Sequence, residues 1–125
     1  MGPRNPVMRL LIVDDHAQMR RTIRSIVADD ADEVREVEDG DEAVEAFEAF
    51  RPDWTIMDLR MPRVGGLEAT RRILRRDPAA QVVIVTENDE PQLKGSAEDA
   101  GAVAFVTKDR LLDLHRLLGR RRAAS

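Results

Sequence analysis

The chain contains no cysteine. Disulfides, thiolate metal sites and cysteine nucleophiles are thereby excluded, and the redox compartment is left open. No apolar run approaches the roughly 20 residues that a membrane-spanning helix needs. The opening MGPRNPVMR lacks the apolar stretch of a secretory signal, so the expected location is cytoplasmic, with no membrane partner. Lysine is scarce: of 20 basic residues only Lys94 and Lys108 are lysine, a skew without functional meaning by itself. Positive charge is not in excess either. The formal net charge is −4, which argues against a dedicated nucleic-acid binder. What is present is 125 residues, 42% hydrophobic and 35% charged, the composition of one folded domain. A chain of this size buries roughly two-thirds of its unfolded surface and needs no covalent staples.

Four short apolar runs stand out: Leu10–Val13, Trp54–Met57, Val82–Val85 and Val103–Val106. Each is too short for a helix and too continuous for a strand with one wet face. Such runs mark parallel strands covered by helices on both sides. A fifth, mostly charged strand is predicted over Val34–Glu38, at a sheet edge. Helical stripes lie between the strands: Met19, Ile23, Ile26 and Val27; Ala43, Phe47 and Phe50; Leu67, Ile73 and Leu74; Leu111, Leu114 and Leu118. Asp41 is a candidate cap for the second helix, and Gly65-Gly66 precede the third. The segment Glu90–Ala100 has only Leu93, Ala97 and Ala100 as its stripe and carries Pro91 and Gly95, so a weakly held helix is expected. Five βα units in alternation imply a parallel sheet with right-handed crossovers. Residues 1–8 read as a flexible leader, 9–119 as the domain, and 120–125 as a tail or truncated linker.

Ligands of open parallel α/β sheets bind beyond the carboxyl ends of the strands. Strand one ends in Asp14-Asp15, strand three in Asp58, strand four in Thr86, and strand five in Thr107-Lys108. Three carboxylates, a hydroxyl and an ammonium thus converge on one rim. Close carboxylates repel one another unless a cation joins them, and hard oxygen ligands point to Mg²⁺. A Mg²⁺, a lysine and a threonine hydroxyl around one carboxylate make a phosphoryl-binding arrangement.

The segments LLIVDD, PDWTIMDLRMPRVGGLEA, VVIVTE and GAVAFVTKD together resemble the receiver domain of two-component response regulators. The resemblance runs from about Met8 to Gly119 and includes Met61-Pro62 and Gly66 after the central aspartate. It implies a flavodoxin-like, doubly wound (βα)5 fold with strand order 2-1-3-4-5. It implies a signalling switch rather than an enzyme, with Asp58 as phosphoacceptor. Asp15 and Asp58 would ligate Mg²⁺ directly, Asp14 through water, and Arg60 through its backbone carbonyl. Lys108 would pair with the phosphoryl oxygens, Thr86 would hydrogen-bond to them, and Phe105 matches the family's aromatic switch position. Arg60 and Asn88 stand where the family tunes the lifetime of the phosphorylated state. The implied partners are a sensor histidine kinase or phosphotransfer protein, and a downstream protein or an output domain, with homodimer formation on activation. No output module is recognisable after residue 119, so nucleic-acid contact is not expected of this domain alone.

The chain departs from the pattern at Glu87, where the family usually has a small residue after the threonine. A bulky anion there would hinder phosphoryl approach, pair with Arg60 as a lid, or point to solvent. Asp109 replaces the proline that many members carry after the lysine, and is a candidate cap for the last helix. His16 follows the acidic pair and reads foremost as a residue at a surface helix start. The pairs Arg71-Arg72 and Arg75-Arg76 read as a solvated helix face. Glu87 also keeps open a module of the same fold that no longer uses phosphate. An aspartyl phosphatase would want a second aspartate two residues after the nucleophile, where Arg60 stands. A flavodoxin would want a Ser/Thr/Gly-rich loop where Asp14-Asp15-His16 stands.

Overall fold

The computed structural model describes residues 7–87 and 90–124, with side chains as far as Gly119. The first six residues of the expected leader, Asn88, and the side chains of the arginines at 120–122 lie outside the described residues. The elements run β1 (Arg9–Val13), α1 (Ala17–Val27), β2 (Glu33–Val37), α2 (Gly40–Phe50), β3 (Trp54–Asp58), α3 (Gly66–Arg76), β4 (Val82–Thr86), α4 (Pro91–Ala100), β5 (Ala104–Thr107) and α5 (Asp113–Ala124). All strand pairs are parallel, and the order is β2-β1-β3-β4-β5. The chain therefore has the doubly wound, flavodoxin-like (βα)5 fold expected for it.

Strand alternation divides the core into two layers. Leu11, Val13, Met57 and Ile84 face Ala43, Phe47, Ala69, Ile73 and Ala97 from α2, α3 and α4. Leu10, Ile12, Ile56, Val83 and Val85 face Ile23 and Val27 of α1 and Leu114 and Leu118 of α5. Both faces are apolar, which is why the strand runs are continuous. Leu10, Leu11, Ile12, Ile56 and Ile84 are wholly buried. Each contributes roughly 1.5–3 kcal/mol by leaving water. The charged β2 is an edge strand, as its composition predicted. Arg9 of β1 reaches across to Glu33 at 3.1 Å, and the Arg35 guanidinium lies 4.8 Å from the centre of the Phe50 ring.

Two caps differ from the sequence reading. Asp39, not Asp41, caps α2, accepting a hydrogen bond from the Asp41 N–H at 3.3 Å. Asp109 lies inside a 3₁₀ turn over Lys108–Arg110, and α5 starts only at Asp113, so Asp109 is not its cap. Strand five also begins one residue later than the apolar run, leaving Val103 exposed. Helix α4 is thinly anchored, as expected: only Ala97 and Ala100 are buried, and a Cβ on Gly95 would meet open space. It ends on Gly101 at φ 103°, a left-handed turn that glycine takes without strain.

Candidate functional site

The carboxyl ends of the strands bring the sequence-selected residues to one rim. Asp58 is the last residue of β3 and Thr86 the last of β4, with Asp58 paired in register to Val85 and Thr86 to Thr107. Asp14 follows β1, and Lys108 follows β5. Lys108 Nζ lies 3.3 Å from Asp58 Oδ1 and 3.8 Å from Asp14 Oδ2. Asp14, Asp58 and Thr86 are all buried, at 1%, 5% and 4% exposure, so the charges meet where water screens them poorly. A small open pocket of about 150 Å³ is lined by Asp58, Thr86, Lys108, His16, Arg60 and Glu87.

Local chemistry fixes these positions. Asp14 Oδ1 accepts the backbone N–H of His16 at 2.8 Å, a side-chain turn that aspartate forms readily. Gly66 closes the loop after Asp58: its N–H donates to the Leu59 carbonyl at 2.9 Å. A Cβ on Gly66 would stand 2.1 Å from the Asp58 carbonyl oxygen, so only glycine allows this approach. The same loop is held from α2 by Asp39, whose carboxylate accepts the N–H groups of Arg63 and Val64, each at 3.1 Å. Burial opposes ionisation of Asp39, but these hydrogen bonds prevail and lower its pKa to about 2.

Asp58 is pushed the other way. Burial and the neighbouring Asp14 charge raise its pKa to about 6, against the opposing pull of Lys108. It therefore holds a costly negative charge at neutral pH. Asp14 Oδ2 and Asp15 Oδ1 are buried without a hydrogen-bond donor. Orphaned carboxylate oxygens of this kind fit a divalent cation, and an all-oxygen set here suits Mg²⁺. One donor atom each from Asp14, Asp15 and His16 also lies within 4.8 Å of the other two.

Not every expected contact forms. Among the described residues no ion pair joins Glu87 to Arg60, so the lid between them is absent. Glu87 is largely exposed, and its Oε1 approaches Lys108 Nζ at 4.0 Å. Phe105 is half-buried on β5 beside a groove of about 250 Å³ lined in part by Lys94, Ala97 and Ala102. The four arginines of α3 are exposed; three of them gather on Glu68 and Arg76 pairs with Glu48, in keeping with a solvated face. One contributor escaped the sequence reading. Arg20, on α1, donates from Nη1 to the Asp14 carbonyl at 2.7 Å while Glu36 holds its Nε at 3.0 Å. An arginine one residue after Met19, beside the core stripe of α1, was the available signal.

Known proteins share this fold and much of this sequence. Residues 10–118 match the family described as the response regulator receiver domain. Response regulator GacA of Pseudomonas aeruginosa is 36% identical over 104 residues, covering 82% of this chain and 49% of that protein. Chemotaxis protein CheY of Listeria monocytogenes is 38% identical over 112 residues, covering 86% of this chain and 94% of that one. The chain thus spans about half the length of the first curated relatives it matches, but nearly all of CheY. Among solved structures, a LuxR-family two-component response regulator from Aurantimonas superposes with TM-score 0.85 at 31% identity, covering 95% of this chain and 87% of that one. The response regulator domain of Thermotoga maritima CheB gives 0.83 at 28% identity, with 96% and 99% covered. With its fold, its rim and these relatives in accord, the chain belongs to the receiver domains of two-component response regulators.

Proposed function

We propose that this domain accepts a phosphoryl group from the phosphohistidine of a sensor kinase or phosphotransfer protein onto Asp58, and that residues 9–119 form the working unit. The single observation that carries this reading is the buried Asp58 carboxylate facing Lys108 Nζ at 3.3 Å at the mouth of a small open pocket. An Asp58 oxygen attacks phosphorus in line. A P–O bond forms, the P–N bond breaks, and its electron pair leaves with the donor imidazole. Lys108 meets the charge on the equatorial oxygens, and the Thr86 hydroxyl, at the adjacent strand end, donates a hydrogen bond to the transferred group. Asp15 and Asp58, with the Arg60 carbonyl and, through water, Asp14, would hold Mg²⁺, which would supply further positive charge to those oxygens. Because the Asp58 pKa is raised only to about 6, the nucleophile is ionised at neutral pH.

Transfer adds roughly −1.5 to −2 charge at Asp58 by analogy with other phosphoresidues. The Thr86 side chain is drawn inward, and Phe105 gains room to turn from the groove toward the core. The face of α4, β5 and α5 then changes shape. Helix α4, with two buried alanines as its anchor, is the element with least to lose. The domain acts in this reading as a signalling module in the cytoplasm, presenting that face to a protein target, an output domain or a second copy. No helix among the described residues is long and apolar enough to cross a membrane.

Glu87 favours one alternative, a receiver fold that works without phosphate, since its carboxylate already stands 4.0 Å from the lysine that phosphate would claim. Beryllofluoride with Mg²⁺ separates the two. The proposed switch binds both and shifts backbone amide resonances on α4, β5 and α5; a spectrum unchanged at saturating concentrations rejects it.

A further inference from the structure

Charge is segregated on the side of the sheet that carries α2 and α3. The two helices lie side by side over one core layer, where Phe47 of α2 and Ile73 of α3 face the same strands. Away from the core, α2 presents Asp41, Glu42, Glu45 and Glu48 and contains no basic residue. Helix α3 presents Arg71, Arg72, Arg75 and Arg76 against a single carboxylate, Glu68. The acidic helix carries four negative charges and the basic one a net three positive, in a chain whose total is only −4.

Neither stripe is explained by the stability of its own helix. Asp41 and Glu45, Arg71 and Arg75, and Arg72 and Arg76 stand four residues apart, where like charges repel. Glu48 lies in the last turn of α2, the end at which the helix dipole disfavours a carboxylate. Contacts within the chain relieve only part of this. Arg76 pairs with Glu48, and Arg63 reaches Asp41 and Glu42 at 3.5 and 3.4 Å. Arg71, Arg72 and Arg75 all depend on Glu68, at 3.6, 3.0 and 3.3 Å. Glu45, exposed midway along α2, has no ion pair among the described residues.

Adjacent stripes of opposite sign are their own complement under a two-fold rotation. A two-fold axis in the plane of the surface, parallel to the helices and running between them, sets α2 of one copy over α3 of the other and repeats the contact on the second side. The stripes match in height as well as in sign. The Arg76–Glu48 pair holds the C-terminal ends of the helices level, and Glu45 and Arg71 each stand five residues after the first residue of their helix. We propose that the α2–α3 face pairs with the same face of a second copy of this chain, with Glu45 and Glu48 of each copy against Arg71 and Arg75 of the other. Two 11-residue helices offer a patch about 16 Å long and about 20 Å wide. The total area buried is on the order of 800 Å², and exposed ion pairs are individually weak, so the dimer is transient and sensitive to salt. The face includes neither the pocket residues around Asp58 nor any part of α4, β5 or α5, so pairing does not depend on phosphoryl acceptance.

The test is sedimentation velocity of the full, untagged chain at low salt, up to about 1 mM protein. The parent chain is expected to form a reversible dimer that weakens at least about tenfold in about 0.5 M NaCl. Arg71→Glu with Arg75→Glu, and Glu45→Arg with Glu48→Arg, each set like charges across the axis and are expected to weaken the dimer at least about tenfold. Mixing the two variants in equal amounts restores it, because both sides of the mixed dimer regain opposite charges. The variants carry net charges four below and four above the parent's −4, at −8 and 0, so overall attraction does not draw them together. Arg21→Glu with Arg116→Glu makes the same change in net charge on other exposed helix faces and leaves the dimer as in the parent. The milder Arg71→Gln with Arg75→Gln is expected to weaken the dimer several-fold, and an unchanged dimer in that variant overturns the proposal. So does a parent chain that stays monomeric throughout, or a mixture that fails to recover while both variants keep the parent's circular dichroism. Equal loss in the variant of Arg21 and Arg116 overturns it too, because net charge alone would then set association. A monomeric parent that binds a DNA duplex through Arg71 and Arg75 gives the face to a polyanion and rejects self-pairing.

Discussion

Replacing Asp58 by asparagine is expected to make the domain more stable at neutral pH, although it removes the residue on which the proposed function depends. The charge on Asp58 is costly because burial and Asp14 raise its pKa from 3.8 to about 6. A raised carboxylate pKa means that the folded state binds the proton more tightly than the unfolded one. Folding stability therefore falls as pH rises from about 4 to about 6, and the loss is complete above that window. At about 1.36 kcal/mol per unit, the gap amounts to roughly 3 kcal/mol at pH 7.5 and about 1 kcal/mol at pH 4.5. Solvent at the pocket mouth reduces both figures, so a gain of about 1–3 kcal/mol is expected for Asp58→Asn at pH 7.5. Urea denaturation of both chains in EDTA, from pH 4.5 to 8, measures the difference directly. The two stabilities should converge as pH falls. A variant less stable than the parent at pH 7.5, or a gap independent of pH, would refute the electrostatic reasoning. Mg²⁺ should stabilise the parent chain and narrow the gap from the other side, because a bound cation offsets the same repulsion.

Three further outcomes follow from the site's construction. Gly66→Ala pushes a Cβ to 2.1 Å from the Asp58 carbonyl oxygen and should cost about 1–3 kcal/mol in chemical denaturation, with slower phosphorylation from a displaced Asp58. Asp39→Ala removes a helix cap together with the anchor of the Arg63–Val64 loop; a loss of about 1–2 kcal/mol is expected, and a change below the error of the measurement would contradict the anchoring role. Glu87→Ala releases Lys108 from a competing carboxylate at 4.0 Å and should accelerate phosphorylation by a small-molecule donor; an unchanged rate removes Glu87 as a gate.

The sheet was legible because its chemistry is local. Continuous runs such as Val82–Val85 can be buried on both faces only in a parallel, helix-covered sheet, and the charged Glu33–Val37 could lie only at an edge. The strand ends in the sequence then bring Asp14, Asp58, Thr86 and Lys108 together on one rim. The misses share a different cause. Asp39 and Asp41 flank Gly40 and satisfy the same capping rule; what selects Asp39 is its reach to the N–H groups of Arg63 and Val64, more than twenty residues away. Arg20 holds a backbone carbonyl, a target with no side-chain signature. The lid between Glu87 and Arg60 depended on where two long, exposed side chains point. Sequence does not fix that, and Lys108 is the nearer charge.

The measurement that bears most directly on phosphoryl acceptance is intact mass after incubation with Mg²⁺ and acetyl phosphate, with Asp58→Asn in parallel. The structure predicts one phosphoryl adduct on the parent chain, labile to hydroxylamine as an acyl phosphate must be, and none on the variant. An adduct that persists in Asp58→Asn would contradict the assignment. So would the absence of any adduct on both the parent chain and Glu87→Ala, even with a histidine kinase as donor.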